Sequence, residues 1–570
     1  MKSYEAVIIG SGFGGSISAC RLAKKWPGEV LVLERGKRYP MGSFPRSPQD
    51  MAHNFWNLPG ESCTRPDWVP DHEVRGLFDI RNYAHMDALV AAGVGGGSLI
   101  YANVFMEPPD HVFEQGWPEN CSRESLRPYY DVVKSVLGSR PIPQNDDPRR
   151  RIERTELFQE VAREMGHDSE LVDINVFFGN DFDNPTDIGV QEKNRFGATQ
   201  TSCTYCAECD VGCNTHSKNT LDLNYLYVAE NRYGAEVLPE HLASRIVPVD
   251  GSGNDDADGS GEHGFRVYNV DLNSGDEQSV LTKRVIVSAG TLGSNELLMR
   301  CRDVDKTLPR INTNLGKRFS GNGDFLSFAV EGDRPSSPNY GPVITQRTDY
   351  NLFKDFKRDE AFILEDASYP SFASWYLEGA RPTHANLTAI WKIVKSTFAR
   401  WFQGRSTSRI GYAFREWLEG SVSTGTCVLL CMGLDRGNGT LELDREGRVS
   451  IDWPYKDSLS LYDAILRTGK KFSERINAKH FFALPNWWFP LRKNVTVHAI
   501  GGCILSDSPE EGVTSADPST FGQVFGYTGL YVADGSIVPS AVGANPTATI
   551  SALCERVAEG ITDMPPNKDL

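Results

Sequence analysis

The sequence predicts an α/β protein, and three observations predict it. A short apolar strand, Val7-Ile8-Ile9, runs straight into Gly10-Ser11-Gly12-Phe13-Gly14-Gly15. A second apolar strand, Val30-Leu31-Val32-Leu33, ends on Glu34. The C-terminal region carries Val497-His498-Ala499-Ile500-Gly501-Gly502, then Tyr531-Val532-Ala533-Asp534-Gly535-Ser536, then Asn545-Pro546 at the head of an apolar helix. Strand, glycine turn and helix in succession build a parallel sheet. The glycines let the backbone turn sharply and approach a pyrophosphate held at the helix N-terminus, and Glu34 is placed to accept hydrogen bonds from a ribose.

The remaining elements follow in chain order. Residues 46–80 are rich in Pro and aromatics without clear periodicity and read as an extended excursion. A second glycine run follows at Gly93-Val94-Gly95-Gly96-Gly97-Ser98. Residues 124–137 and 153–165 have the apolar spacing of amphipathic helices. After Lys218 the α/β pattern returns, with a helix at 221–231 and strands at 235–238 and 283–288. Between those strands, residues 251–261 form a polar hairpin tip whose composition predicts a solvated, mobile segment. From 328 to 480 strand-like runs recur, at 361–365, 426–431 and 439–443, and there is no internal repeat.

Bulk properties narrow the function. The 570 residues carry a formal net charge of -16, which argues against nucleic acid as a partner. No apolar run is long enough to span a bilayer, and the first strand begins without a secretory signal pattern, so the expected location is cytoplasmic. In that compartment the twelve cysteines are expected to be mostly reduced, with Cys20, Cys301, Cys427 and Cys554 as small buried hydrophobes.

The glycine turns and the C-terminal block together resemble the glucose–methanol–choline (GMC) flavoprotein oxidoreductases, and within them the cholesterol-oxidase branch. Residues 93–104 resemble the family's flavin-cradling loop, and Val287-Ser288-Ala289-Gly290-Thr291 its turn over the cofactor. The resemblance covers nearly the whole chain apart from a cysteine-rich segment and one insertion. It implies a Rossmann-like FAD-binding domain interleaved with an α+β substrate domain built on an antiparallel sheet. The FAD-binding segments are 1–45, 220–327 and 485–570, and the substrate segments are 46–219 and 328–484. The cofactor FAD would be held by Gly10, Gly12, Phe13, Gly14, Gly15, Glu34, Gly93, Gly95, Gly96, Gly97, Ser98, Asn103, Val237, Ala289, Gly290, Asp534, Gly535, Asn545, Pro546 and Thr547.

The resemblance also places the chemistry. His498 stands where the family has a proton-accepting imidazole, a group that titrates near neutral pH. Asn545 stands where the family has a second His or an Asn, able to fix a substrate oxygen but not to act as a base. Glu365 lies in Ile363-Leu364-Glu365-Asp366, a setting comparable to the glutamate with which cholesterol oxidases move a double bond. Its apolar neighbours should raise its pKa, and on a strand Asp366 would point to the opposite face. The helix after Pro546 should aim its positive end at the flavin. Trp487-Trp488-Phe489 are placed to line an apolar pocket or the core beneath it.

Two segments depart from the cholesterol-oxidase pattern. Cys203, Cys206, Cys209 and Cys213 have the spacing of a ferredoxin-type run, with Asn214 where Pro usually follows. The readings are an iron–sulfur cluster serving as an electron exit, a structural zinc, or disulfides or free structural thiols in a loop clamping the flavin domain. The insertion at 371–420 contains, over 391–415, Lys392, Lys395, Arg400, Arg405, Arg409 and Arg415 with no acid, interleaved with Trp391, Phe398, Trp401 and Phe402. This pattern suits either a helix docking peripherally on anionic lipid or a lid whose apolar face is core.

The expected function is therefore FAD-dependent oxidation of a hydroxyl on a bulky hydrophobic alcohol, foremost a 3β-hydroxysteroid, with a double-bond shift to follow. The acceptor would be O2 or a protein or quinone. Two alternatives stand beside it: a flavin-containing isomerase of an unsaturated ketone, in which Glu365 and His498 shuttle protons, and a non-catalytic flavoprotein that associates with a membrane or partner through the basic aromatic segment.

Overall fold

A computed structural model of the chain describes residues 3–57, 74–145, 147–374, 424–488 and 490–570, and residues 391, 394, 395, 398 and 402. The predicted opening unit forms as β1 (Ser3–Ile9), α1 (Phe13–Lys25) and β2 (Val30–Glu34). In a seven-stranded sheet, β1 lies parallel to β2 on one side, Ile8 beside Val32. On its other side it lies parallel to β3 (Glu277–Val287), Val7 beside Val285. Every residue of β2 is buried, because helices and neighbouring segments cover both faces.

β3 starts at Glu277, earlier than the strand expected at 283. Its first half pairs antiparallel with Phe265–Asp271, which pairs in turn with His241–Pro248. Its last residues pair parallel with Leu530–Val532. The sheet thus gathers its strands from three distant stretches of chain, with Glu236–Pro239 on the far edge beside β2. The polar hairpin tip differs from expectation. Asp250 accepts the amides of Ser252 and Asn254, Arg266 bonds Asp255, Arg310 bonds the Asp258 carbonyl, and the Thr528 amide bonds the Ser260 carbonyl. Its Asp and Gly residues supply turn geometry and acceptors, so its polarity ties the tip down.

A second sheet holds six antiparallel strands. In order they are His480–Ala483, β4 (Phe325–Val330), β6 (Cys427–Gly433), β5 (Phe362–Ala367), Gln346–Tyr350 and Ser169–Leu171. Alternate residues face opposite ways. Phe325, Phe362, Leu364 and Leu429 pack against the helices Glu153–Glu164 and Leu459–Arg475. Leu326, Phe328, Val428 and Leu430 face a cavity between the two sheets. Both faces are apolar, so the period-two alternation is invisible in the sequence and only continuous apolar runs remain.

Within the first layer the N- and C-terminal segments meet at a backbone crossing. A Cβ on Gly14 would stand 1.6 Å from the Ala533 carbonyl oxygen, and one on Gly10 (φ +98°) would stand 2.3 Å from that of Ser288. Gly14→Ala should therefore push the C-terminal segment off α1 and destabilise the protein by about 3 kcal/mol. Gly28→Ala (φ +74°), with open space around it, should cost only about 1–2 kcal/mol of backbone strain. Thermal melts of the two variants check the ordering.

Candidate active site

One cavity of about 1120 Å³ runs between the sheets, and its two ends differ in chemistry. Glycine backbone lines one end. Gly12 caps α1 without a side-chain hydrogen bond, and the first turn of α1 carries no acid, so its N–H groups are free for an anion. Gly12 and Gly97 both face this space, and a Cβ on either would have no neighbour closer than 4.0 Å. Phe13, Ala289, Gly290, Asp534 and Gly535 complete the wall. Glu34 also reaches it, with its carboxylate accepting from the Ser11 amide, the Ser11 hydroxyl and the Gly36 amide. A nucleotide with a pyrophosphate fits this cradle, and Glu34 retains lone pairs for a ribose.

The other expected cofactor residues take different places. Gly14 and Gly15 are packing positions of α1, against the carbonyls of Ala533 and Gly10. Gly93 packs against Leu99, and Ser98 ties the loop by donating to the Gly95 carbonyl and accepting the Leu221 amide. Gly95 takes the left-handed turn before Gly96, and it is Gly96 that reaches the cavity. Asn103 is buried at φ +70° with neither side-chain polar atom partnered among the described residues, off the cavity wall. Val237 pairs with Val32 in the sheet, and the following strand supplies the wall through His241 to Ser244.

The apolar end is the inner face of the second sheet: Leu326, Phe328, Val428, Leu430 and Ala367, with Phe482 and Leu484. His498 stands on the wall where the two ends join. Its Nδ1 lies 2.7 Å from Asp324 Oδ1. Pro546 and Thr547 reach the same space at the head of α2 (Thr547–Thr562), whose first turn has no acid and no side-chain cap. Asn545, just before them, is buried behind the wall, and its Nδ2 donates to Glu365 Oε2 at 3.4 Å. Glu365 Oε1 and Asn545 Oδ1 have no hydrogen-bond partner among the described residues. Burial pushes the Glu365 carboxyl up to about 8. Asp366 points to the opposite face of β5, accepting from Arg154 Nε at 2.8 Å and from the Thr345 and Gln346 amides.

Comparison with known proteins accounts for this arrangement. The GMC oxidoreductase N-terminal profile matches residues 4–317 and the C-terminal profile residues 469–554. The chain belongs to the GMC oxidoreductases. A cholesterol oxidase of Mycobacterium tuberculosis is 30% identical, aligning 99% of this chain with 93% of its own. One of Acinetobacter baumannii is 29% identical over 97% of this chain and 93% of its own. A formate oxidase of Aspergillus oryzae shares the fold, with a TM-score of 0.59 at 15% identity over 99% of this chain and 98% of that one.

Within this GMC fold nothing among the described residues supports the metal centre that the cysteine spacing suggested. Cys203, Cys206, Cys209 and Cys213 line one small space, but among the described residues no group of three or more His, Cys, Asp or Glu is placed to hold a metal ion. Cys206 points to the exposed side, while burial pushes the Cys203 thiol well up and that of Cys209 up to about 12. Lys218, pushed down to about 8 by burial, donates to the carbonyls of Leu99, Tyr101 and Cys209 and so ties the glycine loop to the cysteine loop. Trp487 packs in the helix-side core of the second sheet, Trp488 is exposed, and neither lines the cavity. Phe489, and most of the insertion 371–420, lie outside the described residues.

Sequence reading missed Asp324. It sits in Gly321-Asn322-Gly323-Asp324, a composition that reads only as a turn before an apolar strand.

Glu365 makes stability depend on pH with a defined sign. A carboxyl whose native pKa is raised keeps its proton after the unfolded chain has released it. Stability is full below about pH 4.3 and falls as pH rises towards about 8, by on the order of a few kcal/mol. Glu365→Gln should flatten that decline, read as melting temperature across pH 5–8.

Proposed function

We propose that this protein oxidises a hydroxyl group on a bulky hydrophobic alcohol, with a 3β-hydroxysteroid as the leading substrate. The observation that carries the reading is the two-ended cavity: a glycine cradle for a dinucleotide opens onto an apolar sheet face, and His498 stands where they meet. FAD bound in the cradle supplies the hydride acceptor, and O2 or a protein or quinone takes the electrons onward.

The chain's own residues supply the rest. Leu326, Phe328, Val428 and Leu430 exclude water and hold an apolar skeleton by shape and burial, with little directional bonding. His498 takes or relays the hydroxyl proton as the hydride leaves carbon. Asn545, buried just behind the wall, offers its amide to orient the substrate oxygen by donation from Nδ2. The uncapped N-terminus of α2 favours negative charge growing beside Thr547. Glu365 is neutral at physiological pH because of its burial, and near pH 8 it can both accept and return a proton. It is therefore suited to carrying a proton between two carbons of an unsaturated ketone product.

The 391–415 segment extends this reading to the source of the substrate. Of it, Trp391, Val394, Lys395, Phe398 and Phe402 are among the described residues. Trp391, Phe398 and Phe402 are 66%, 54% and 75% exposed, and the Phe398 and Phe402 rings stack at 5.6 Å on one side of the chain. Ala373 and Thr426, which precede and follow this segment in the sequence, line the cavity. Exposed aromatics in a locally basic stretch suit peripheral contact with an anionic lipid surface, from which an apolar alcohol would enter. Pelleting with anionic vesicles is expected to bring the protein down in a salt-sensitive way, and Phe398→Ser with Phe402→Ser to abolish this. Equal pelleting with neutral vesicles would count against it.

The central test is anaerobic titration of the FAD-loaded protein with a 3β-hydroxysteroid, followed by absorbance. The flavin bands should bleach, and His498→Gln should slow bleaching about 10²–10⁴-fold. Glu365→Gln should leave oxidation in place and halt the double-bond shift, so that mass spectrometry and ultraviolet absorbance report an oxidised but unconjugated product. An unchanged substrate mass with a shifted double bond would instead indicate isomerisation alone.

A further inference from the structure

The turn at 320–324 holds His498 and the segment just before Asn545 through different residues. Asp324, 5% exposed, uses its two oxygens separately. Oδ2 accepts from the Val497 amide at 2.9 Å, the His498 amide at 3.2 Å and the Thr496 hydroxyl at 3.0 Å. Oδ1 faces His498 Nδ1 at 2.7 Å. Two residues earlier, Asn322 Oδ1 accepts the Val542 and Gly543 amides, and its Nδ2 donates to the Ala544 carbonyl, immediately before Asn545. The turn is itself fixed to the end of β6 through Asp435, which accepts from the Ser320 hydroxyl and the Gly323 amide.

We propose that Asp324 is a positioning residue that decides which nitrogen of His498 carries the proton. The inference rests on His498 being the proton acceptor proposed above. A neutral imidazole holds one proton, on either nitrogen. Only the tautomer protonated at Nδ1 has a lone pair on Nε2, the nitrogen left for the cavity. The Asp324 carboxylate accepts and does not donate, so it selects that tautomer and holds the ring plane. The two backbone amides at Oδ2 are donors fixed by the fold, so the orientation of the carboxylate is fixed as well.

The same geometry makes an unusual prediction for Asp324→Asn. Two amide N–H groups point at the Oδ2 position, so the new carboxamide must place its oxygen there. Its NH2 group then faces His498 Nδ1 and donates to it, driving the proton to Nε2. Asp324→Ala removes the selection without reversing it, and leaves the two amides without their acceptor. Stability should therefore fall in the order wild type, Asn, Ala. The rate of flavin reduction by the alcohol should fall in the order wild type, Ala, Asn, with Asn slowed about 10²–10⁴-fold and substrate affinity little changed. A merely structural role would make the rates follow the stabilities.

The deciding measurement is long-range ¹H–¹⁵N NMR of the FAD-loaded protein labelled at histidine, with the His498 signals assigned by their loss in His498→Gln. Wild type should show Nδ1 protonated, and Asp324→Asn should show Nε2 protonated, a comparison that stands even if the Ala variant does not fold. Nδ1 protonated in both proteins, or Asp324→Asn reducing flavin faster than Asp324→Ala, overturns the inference. A reversed tautomer with an unaltered rate upholds the hold of Asp324 on the ring and overturns His498 as the proton acceptor. Failure of wild type to reduce flavin with any alcohol overturns the functional reading, while the tautomer comparison still decides the role of Asp324.

Discussion

The architecture depends on a backbone-to-backbone contact that only glycine permits. Where α1 begins, Gly14 lies so close to the Ala533 carbonyl that no Cβ fits, and Gly10 meets Ser288 in the same way. These contacts bring together a turn near the N-terminus, the end of β3 and a strand near the C-terminus. Side-chain packing could not substitute, because a layer of side chains would separate the segments by several ångströms and fill the cradle. The close approach positions the head of α1 and the Asp534-Gly535 turn on one wall, and with them the polar end of the cavity.

The other end follows from a sheet with two apolar faces. Such a sheet must be covered twice. Helices cover one face, while the other is left to the cavity. This arrangement also separates two adjacent carboxyls. Glu365 and Asp366 are neighbours in sequence, and strand alternation sends them to opposite faces. Asp366 meets the Arg154 guanidinium and two backbone amides and serves as a structural anchor. Glu365 has only a long amide contact as a hydrogen bond, and burial outweighs the opposing charge of Arg347 on the neighbouring strand and pushes it up. Identical chemistry one residue apart thus acquires different roles from orientation alone.

The cysteine segment shows what spacing can and cannot specify. Its four thiols do converge on one small space. Metal binding demands a particular disposition of the sulfurs, which depends on loop path and rotamer. Here the path passes through left-handed residues at Tyr205 and Ala207 and sends Cys206 towards solvent. The buried cation of the loop, Lys218, is satisfied by three carbonyls and joins two segments that both flank the cradle.

By itself the sequence determined the α/β class, the glycine turn after β1 and the strand bearing Glu365 and Asp366. Each of these is a local pattern, in which a turn needs glycine, a helix needs an unblocked N-terminus, and alternation sets the face. The flavin-side strands at 241–248 and 265–271 were not legible, nor was the tethering of the hairpin tip, because their partners lie elsewhere in the chain. Only the tertiary structure placed Asp324 against His498 and Asn322 against the segment before Asn545, across sequence separations of 174 and 220 residues. A lone Asp or Asn in a glycine-rich turn is explained locally by the turn. What else its side chain holds is decided by which distant donors the fold brings within hydrogen-bonding reach.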